Sequence, residues 1–356
     1  MLKGRATSEG TAAYRATLGA RAADGHFREW RGLSLSSVGI GAYLGHDDDA
    51  TDALYEAAVE GAVASGINVV DSAVNYRRQR SERAVGRALG RVVRAGGAPR
   101  EGVVVATKGG FLPFDGPAPP GLLRPGDLVA GCHCMTPRYL EDQIERSRVN
   151  LDLETIDIYY LHNPETQLGE VPRPEVMRRL RAAFELLESA ARDRRIGLYG
   201  TATWSGYRRP QGARDFLSLP DLVALAEEVG GPEHRFRVVQ LPYNLAMTEA
   251  FTLANQGGGR EPVPLLESAR RLGVYVMSSA SIYQGQLAKN LPPVIARFLP
   301  GLDTDAQRAL QFVRSTPGVG TALVGMKTAA HVAEAARLCA VSPVPWSEFQ
   351  KFFAPA

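Results

Sequence analysis

The chain has 356 residues, 45% of them hydrophobic and 22% charged, a balance ordinary for a globular protein and ample for one large core. A net charge of +3 is too small to imply a polyanionic partner, and no apolar run approaches the ~18 residues that span a bilayer, so neither nucleic acid nor a membrane is expected. Three cysteines, Cys132, Cys134 and Cys339, are too few for a disulfide framework, and the first thirty residues do not read as a secretory signal, so the expected compartment is a reducing cytoplasm.

Residues 1–30 read as an extension whose last part, 27–30, turns at Gly32 into 33–35 as a small hairpin. From residue 37 short apolar runs alternate with helical patterns. The strand candidates are 37–43, 67–73, 102–108, 156–162, 196–203, 237–244, 273–280 and 321–325. Helical patterns cover 50–65, 81–95, 137–151, 173–194, 221–229, 264–272, 303–315 and 328–338. The strands are nearly continuous in apolar residues, as a parallel sheet covered on both faces requires. Eight such units favour a closed (β/α)₈ TIM barrel over an open doubly wound sheet. The expectation is a single α/β domain: extension 1–30 with its hairpin closing the barrel bottom, barrel 36–340 and tail 341–356.

Two features stand apart from the repeat. Arg80, Arg83, Arg87, Arg91 and Arg94 share one helix face opposite Val85, Ala88, Leu89 and Val92, and without interleaved aromatics they read as a solvated face. The stretch 111–136, between the third strand and third helix, is long and rich in Gly and Pro. A loop of this length is more often functional than idle; the alternative is a disordered insertion.

In barrels the reacting groups sit at the C-terminal strand ends. There the second strand presents Asp71 with Tyr76 just beyond it, the third Lys108 and the fourth His162. A phenol titrates near ~10, so it becomes a useful proton donor at neutral pH only beside a cation. Lys108, in a chain whose only other lysines are Lys3, Lys289, Lys327 and Lys351, supplies one. An acid, an amine, a phenol and an imidazole on one rim can meet around one carbonyl oxygen. Cys132-His133-Cys134 offers three donors too close together to close a metal site, and no metal is expected.

Asp71-Ser-Ala-Val-Asn-Tyr76 with Ser81-Glu82, then Ala106-Thr-Lys108, then Leu161-His162-Asn-Pro resembles the catalytic quartet of the aldo-keto reductase superfamily. Val239-Gln240 with Tyr243-Asn244 is similar to the family's strand-six motif, and Gly325 before the last helix to its phosphate-binding segment. The resemblance implies Tyr76 as general acid or base, Lys108 lowering its pKa, Asp71 holding Lys108, and His162 orienting the carbonyl. It implies hydride exchange between a nicotinamide cofactor and an aldehyde, ketone or corresponding alcohol, small carbonyls or sugars being the substrate class. Gly41, Ala42, Tyr43, Asp71, Thr203, Gln240, Ser279, Ile282, Gly285, Gly325, Lys327, Thr328 and His331 are the implied cofactor contacts. Phe111, Phe114 and Trp204 join Tyr76 and His162 as implied substrate contacts.

Departures from the pattern accompany it. Ala202-Thr203 stands where Ser-Asn is common, Ser279 where many relatives stack an aromatic ring (Tyr283 being a substitute), His331 for an Arg and Ala335 for an Asn. Lys327 ahead of a helix N-terminus favours NADP(H), with NAD(H) possible. The alternatives are an NAD-dependent sugar (aldose) dehydrogenase, a cofactor-sensing regulatory subunit, and a barrel isomerase or aldolase.

Overall fold

The computed structural model describes residues 1–113, 118–257 and 261–353. Eight parallel strands close into a barrel in chain order: β1 (Val38–Gly41), β2 (Val69–Asp71), β3 (Val104–Gly109), β4 (Ile156–His162), β5 (Ile196–Ala202), β6 (Phe236–Pro242), β7 (Tyr275–Ser279) and β8 (Thr321–Gly325). Each is followed by its helix: α1 (Asp49–Ala64), α2 (Arg80–Arg94), α3 (Pro137–Leu151), α4 (Arg173–Arg192), α5 (Leu219–Gly230), α6 (Leu265–Arg271), α7 (Asp305–Ser315) and α8 (Ala329–Ala336). The expected (β/α)₈ barrel is the observed fold.

Apolar residues cover both faces of the strands. Val69, Val104, Ala106, Ile158, Tyr160, Val238, Met277 and Leu323 fill the barrel interior, while a larger cluster lies between strands and helices. The register then fixes what the rim carries. Gly41 pairs with Gly325 and with Asp71; Asp71 pairs with Ala106, Lys108 with Tyr160, His162 with Ala202, Ala202 with Gln240, and Pro242 with Ser279. The C-terminal ends of all eight strands, far apart in sequence, are therefore gathered at one end of the barrel.

The opposite end is sealed by the hairpin Phe27–Trp30 against Leu33–Ser36. Leu35 and Trp30 reach the interior cluster, with the Trp30 ring 5.2 Å from that of Tyr275. Beyond expectation, the extension also holds a helix, Ser8–Leu18, started by the Thr7 side chain on Gly10 N–H. Its buried residues Thr11, Tyr14 and Leu18 recur at the helical spacing of three and four, and Tyr14 donates to Val63 O at 2.5 Å. Beneath the barrel Asp157 accepts from Ala6 N, Arg100 and Val105 N, at 2.6, 2.8 and 2.8 Å.

Strands β2 and β7 are shorter than their apolar runs. At β2 the Asn68 side chain bonds Ser34 O, Gly102 O and Ser36 N, taking over the ladder's work at its start. Ser81 and Glu82, part of the resemblance, are anchors: Ser81 donates to Ala42 O at 2.6 Å, and buried Glu82 accepts from Thr107 and Asn150. They pin the start of α2 to the ends of β1 and β3. None of the described helices is long and apolar enough to cross a membrane.

The arginine face of α2 is an inter-helix ion-pair ladder and not merely solvated. Arg80 and Arg87 reach Asp52, Arg87 and Arg91 reach Glu56, and Arg91 reaches Glu60, all on α1. Asp52 also receives the buried Arg77, which follows Tyr76 directly. Breaking a buried pair strands a charge, at a cost of about 3–5 kcal/mol. Asp52→Ala is therefore expected to lower unfolding stability by about that much in urea titration. Asp49→Ala, removing a fully exposed carboxylate that also meets Arg80, leaves the midpoint where it is.

Candidate active site

At the C-terminal rim the Lys108 ammonium is 99% buried and donates to Asp71 Oδ2 at 2.6 Å and to Ser72 O at 2.7 Å. Its Nζ lies 4.8 Å from the Tyr76 ring centroid. Gln240 Nε2 donates to the other Asp71 oxygen at 2.8 Å, so both carboxylate oxygens are engaged. Burial works against the ammonium, but Asp71 and Tyr76 outweigh it, and Lys108 sits above its usual pKa, firmly charged. Tyr76 is raised above its ordinary value by burial, with the Lys108 charge opposing that rise. The expected lowering by Lys108 is present as a contribution, and burial exceeds it.

His162 packs edge-on to Tyr76, ring centroids 5.8 Å apart, and edge-on to Phe111 at 5.0 Å. Burial, then the charge of Lys108, hold it well below its usual pKa, so the imidazole is neutral at pH 7. Its Nδ1 is buried with no hydrogen-bond partner among the described residues. The quartet expected from sequence is thus brought together, at the inner end of a cavity of about 580 Å³.

That cavity shows where the remaining expectations fall. Its wall holds Gly41, Tyr43, Phe111, Trp204, Thr203 and Gln240, together with Ser279, Ile282, Gly285, Gly325 and His331. Tyr43 rests on Tyr76, centroids 4.8 Å apart. Ala42 is not in the wall: it is fully buried, with its N–H on Asp71 O and its carbonyl on Ser81. Lys327 and Thr328 also stand outside the wall; the Thr328 hydroxyl turns back to cap α8 through His331 N–H. Tyr283 does not line the cavity, so it does not replace the missing aromatic stacker. Phe114 lies outside the described residues.

Sequence reasoning missed Leu44, Asn75, Asn163, Gln284 and Glu334, all in the wall. Asn75 and Asn163 adjoin Tyr76 and His162 in sequence, the one signal available for them. The cavity floor after β7 is unusual in backbone: Ala280, Tyr283, Gln284 and Gly285 all have φ between 48° and 89°. Within it the Tyr283 and Gly285 N–H groups donate to Ala280 O and Ile282 O at 2.7 and 3.0 Å, which closes the turn on itself. Among the described residues no group of three His, Cys, Asp or Glu is placed to hold a metal ion. His133 of the Cys-His-Cys run has both ring nitrogens engaged by protein, on His162 O and Gln167.

The rim of the closed parallel barrel thus sets a Lys–Asp pair under a phenol, beside a neutral imidazole. Residues 37–290 match the sequence profile of the Aldo/keto reductase family, and the chain belongs to that family. No curated protein sequence matches it. Among solved structures it is similar to an aldo/keto reductase of Klebsiella pneumoniae in complex with NADP and acetate, at 18% identity and TM-score 0.61, covering 94% of this chain and 97% of that one. It is also similar to the glycerol dehydrogenase of Gluconobacter oxydans, at 18% identity and TM-score 0.64, covering 93% and 94%.

Burial lowers His26 and His133 to about 4. A histidine held neutral by the fold stabilises it fully above the unfolded value near ~6.5, and that contribution is lost as pH falls toward the folded value. Unfolding midpoints are therefore expected to drop between pH 6.5 and 4, and His133→Gln to show a shallower drop over the same range.

Proposed function

We propose that the protein is an NADP(H)-dependent aldehyde or ketone reductase, able to run as an alcohol dehydrogenase in reverse. The observation that carries this reading is the Lys108 ammonium, held by Asp71 at 2.6 Å and set under the Tyr76 ring in the cavity wall.

The cavity fits a nicotinamide dinucleotide in its chemistry. The buried Thr203 hydroxyl has no partner among the described residues and belongs to a wall residue beside Gln240, two groups that would hold a carboxamide. Ser281, Ile282 and Gln284 of the turn after β7 line the wall where a pyrophosphate would pass, and Gly325 and His331 line it as well. When bound, the nicotinamide exchanges a hydride with the carbonyl carbon. The K. pneumoniae relative, in complex with NADP, supports the same assignment here.

In the reductive direction Tyr76 gives its phenolic proton to the carbonyl oxygen as negative charge develops there. Lys108 stabilises the phenolate that remains, and Asp71 keeps Lys108 charged without reaching the substrate. His162, neutral, orients the carbonyl by a hydrogen bond instead of acting as a cation. Tyr43, Phe111 and Trp204 supply apolar wall around the reacting carbon.

A second reading has its own observation. Glu334 lines the cavity beside His331, and a carboxylate there favours ribose hydroxyls over a phosphate dianion, which keeps NAD(H) and an aldose dehydrogenase as the alternative.

Positioned acid catalysis contributes about 10²- to 10⁴-fold. Tyr76→Phe is expected to lose turnover of an aldehyde panel, followed by nicotinamide absorbance, by about that factor while coenzyme titration stays unchanged. Near-normal reduction by the variant rejects the mechanism. For coenzyme choice, Lys327→Ala is expected to weaken NADPH by roughly 10- to 150-fold, the worth of one charge-assisted contact, and to spare NADH. Equal loss of both coenzymes, or tighter NADH binding by the wild type, transfers the preference to the Glu334 reading.

A further inference from the structure

We propose that His133 is a positioning residue: it latches the long excursion after β3 onto the end of β4 and thereby fixes both the His162 backbone and the Phe111 wall. The inference rests on the reductase reading for its effect on turnover, while the latch itself is geometric.

The chain leaves β3 through Gly109-Gly110-Phe111. At Gly110 φ is +138°, and a Cβ there would sit 2.9 Å from His133 Nε2 and 3.1 Å from His162 O, so only glycine lets the chain pass. The atoms it would strike are the two ends of the latch. His133 Nε2 lies 2.7 Å from the His162 carbonyl oxygen. A carbonyl only accepts, so Nε2 carries the proton and Nδ1 is left as an acceptor. That acceptor is met by the Gln167 amide nitrogen at 2.8 Å. The Gln167 oxygen in turn accepts from Arg179 at 2.5 Å, which fixes the orientation of the amide. One tautomer of one buried imidazole satisfies every member of the chain.

The returning loop is held where the latch closes. Leu112 N donates to Cys132 O at 2.9 Å and Cys134 N to Gly110 O at 2.8 Å, flanking His133 on both sides. Phe111 stands edge-on to His133 at 4.8 Å and to His162 at 5.0 Å, filling the angle between them. Among the described residues His162 Nδ1 has no partner, so no hydrogen bond from them to that atom restrains its ring. Its orientation depends on its backbone and on the rings of Phe111 and Tyr76. Two of these three restraints pass through His133.

The test uses the full chain with two variants. His133→Leu keeps apolar bulk and removes the donor; His133→Gln keeps an N–H donor at comparable reach. A displacement near 1 Å at a reacting group costs up to about 10²-fold. His133→Leu is expected to lower kcat about 10- to 100-fold and raise the aldehyde KM, with NADPH binding unchanged. His133→Gln is expected to recover most of the loss. In ¹⁵N-histidine spectra the His162 ring signals should move in His133→Leu and stay near their wild-type positions in His133→Gln. Unchanged kcat and KM in His133→Leu, or equal fractional losses of turnover and coenzyme binding, overturn the proposal. If the wild type reduces no carbonyl, the reductase reading fails, and the spectra still decide the latch: unmoved His162 signals in His133→Leu reject it.

Discussion

The Lys108–Asp71 ion pair sets the terms for the rest of the rim. An ammonium with 1% of its side chain exposed is tolerated only when its charge is matched and its protons are bonded, and here the carboxylate and the Ser72 carbonyl do both. A buried pair of this kind is weak evidence for stability, since an apolar replacement often serves the fold as well or better. Its use is electrostatic: a fixed positive charge beside a phenol whose burial would otherwise oppose ionisation altogether. Gln240 occupies the second Asp71 oxygen, so the pair is held from β2, β3 and β6 at once.

Much of the surrounding structure serves to keep that rim still. The segment after Tyr76 runs through three consecutive left-handed residues, Arg77, Arg78 and Gln79. Non-glycine residues reach this region only at a cost of order 1–3 kcal/mol each, and the buried contacts of Arg77 to Asp52 and to the His46 carbonyl offset it. The loop after β4 acts as a bracket for two walls. Buried Glu165 accepts from the N–H groups of Trp204 and Ser205, and Gln167 in the same turn holds His133. Phe111 and Trp204, from loops far apart in sequence, are thus referred to one short segment.

The barrel was legible because its signal is repeated and redundant: eight apolar runs buried on both faces, each followed by a helical pattern. The quartet was legible because strand ends are the last residues of such runs, so Asp71 and His162 announce themselves by position. What escaped depends on contacts between segments. The helix Ser8–Leu18 buries only three side chains, and its mixture of charge, Gly and Ala gives a faint stripe. Lys327 precedes a helix beside the cavity: Gly325 and His331 line the wall there, and Lys327 stands just outside it, a placement its sequence position alone does not reveal. Ala42 stands next to Gly41 in sequence, yet adjacent residues of a strand face opposite sides. His133 looked like a stray ligand within Cys-His-Cys; only the return of a long loop onto the end of β4 shows what it holds.

The central claim is that Lys108 sets the protonation of Tyr76, and it can be read without any substrate. Tyrosine labelled with ¹³C at Cζ reports ionisation of each phenol directly, with Tyr76 assigned by its absence from Tyr76→Phe. In the wild type burial and the Lys108 charge oppose one another, and burial prevails. Removing the charge in Lys108→Met leaves burial unopposed, so the account predicts that the Tyr76 titration moves to still higher pH. A Tyr76 titration that stays in place, or moves down, in Lys108→Met would contradict it.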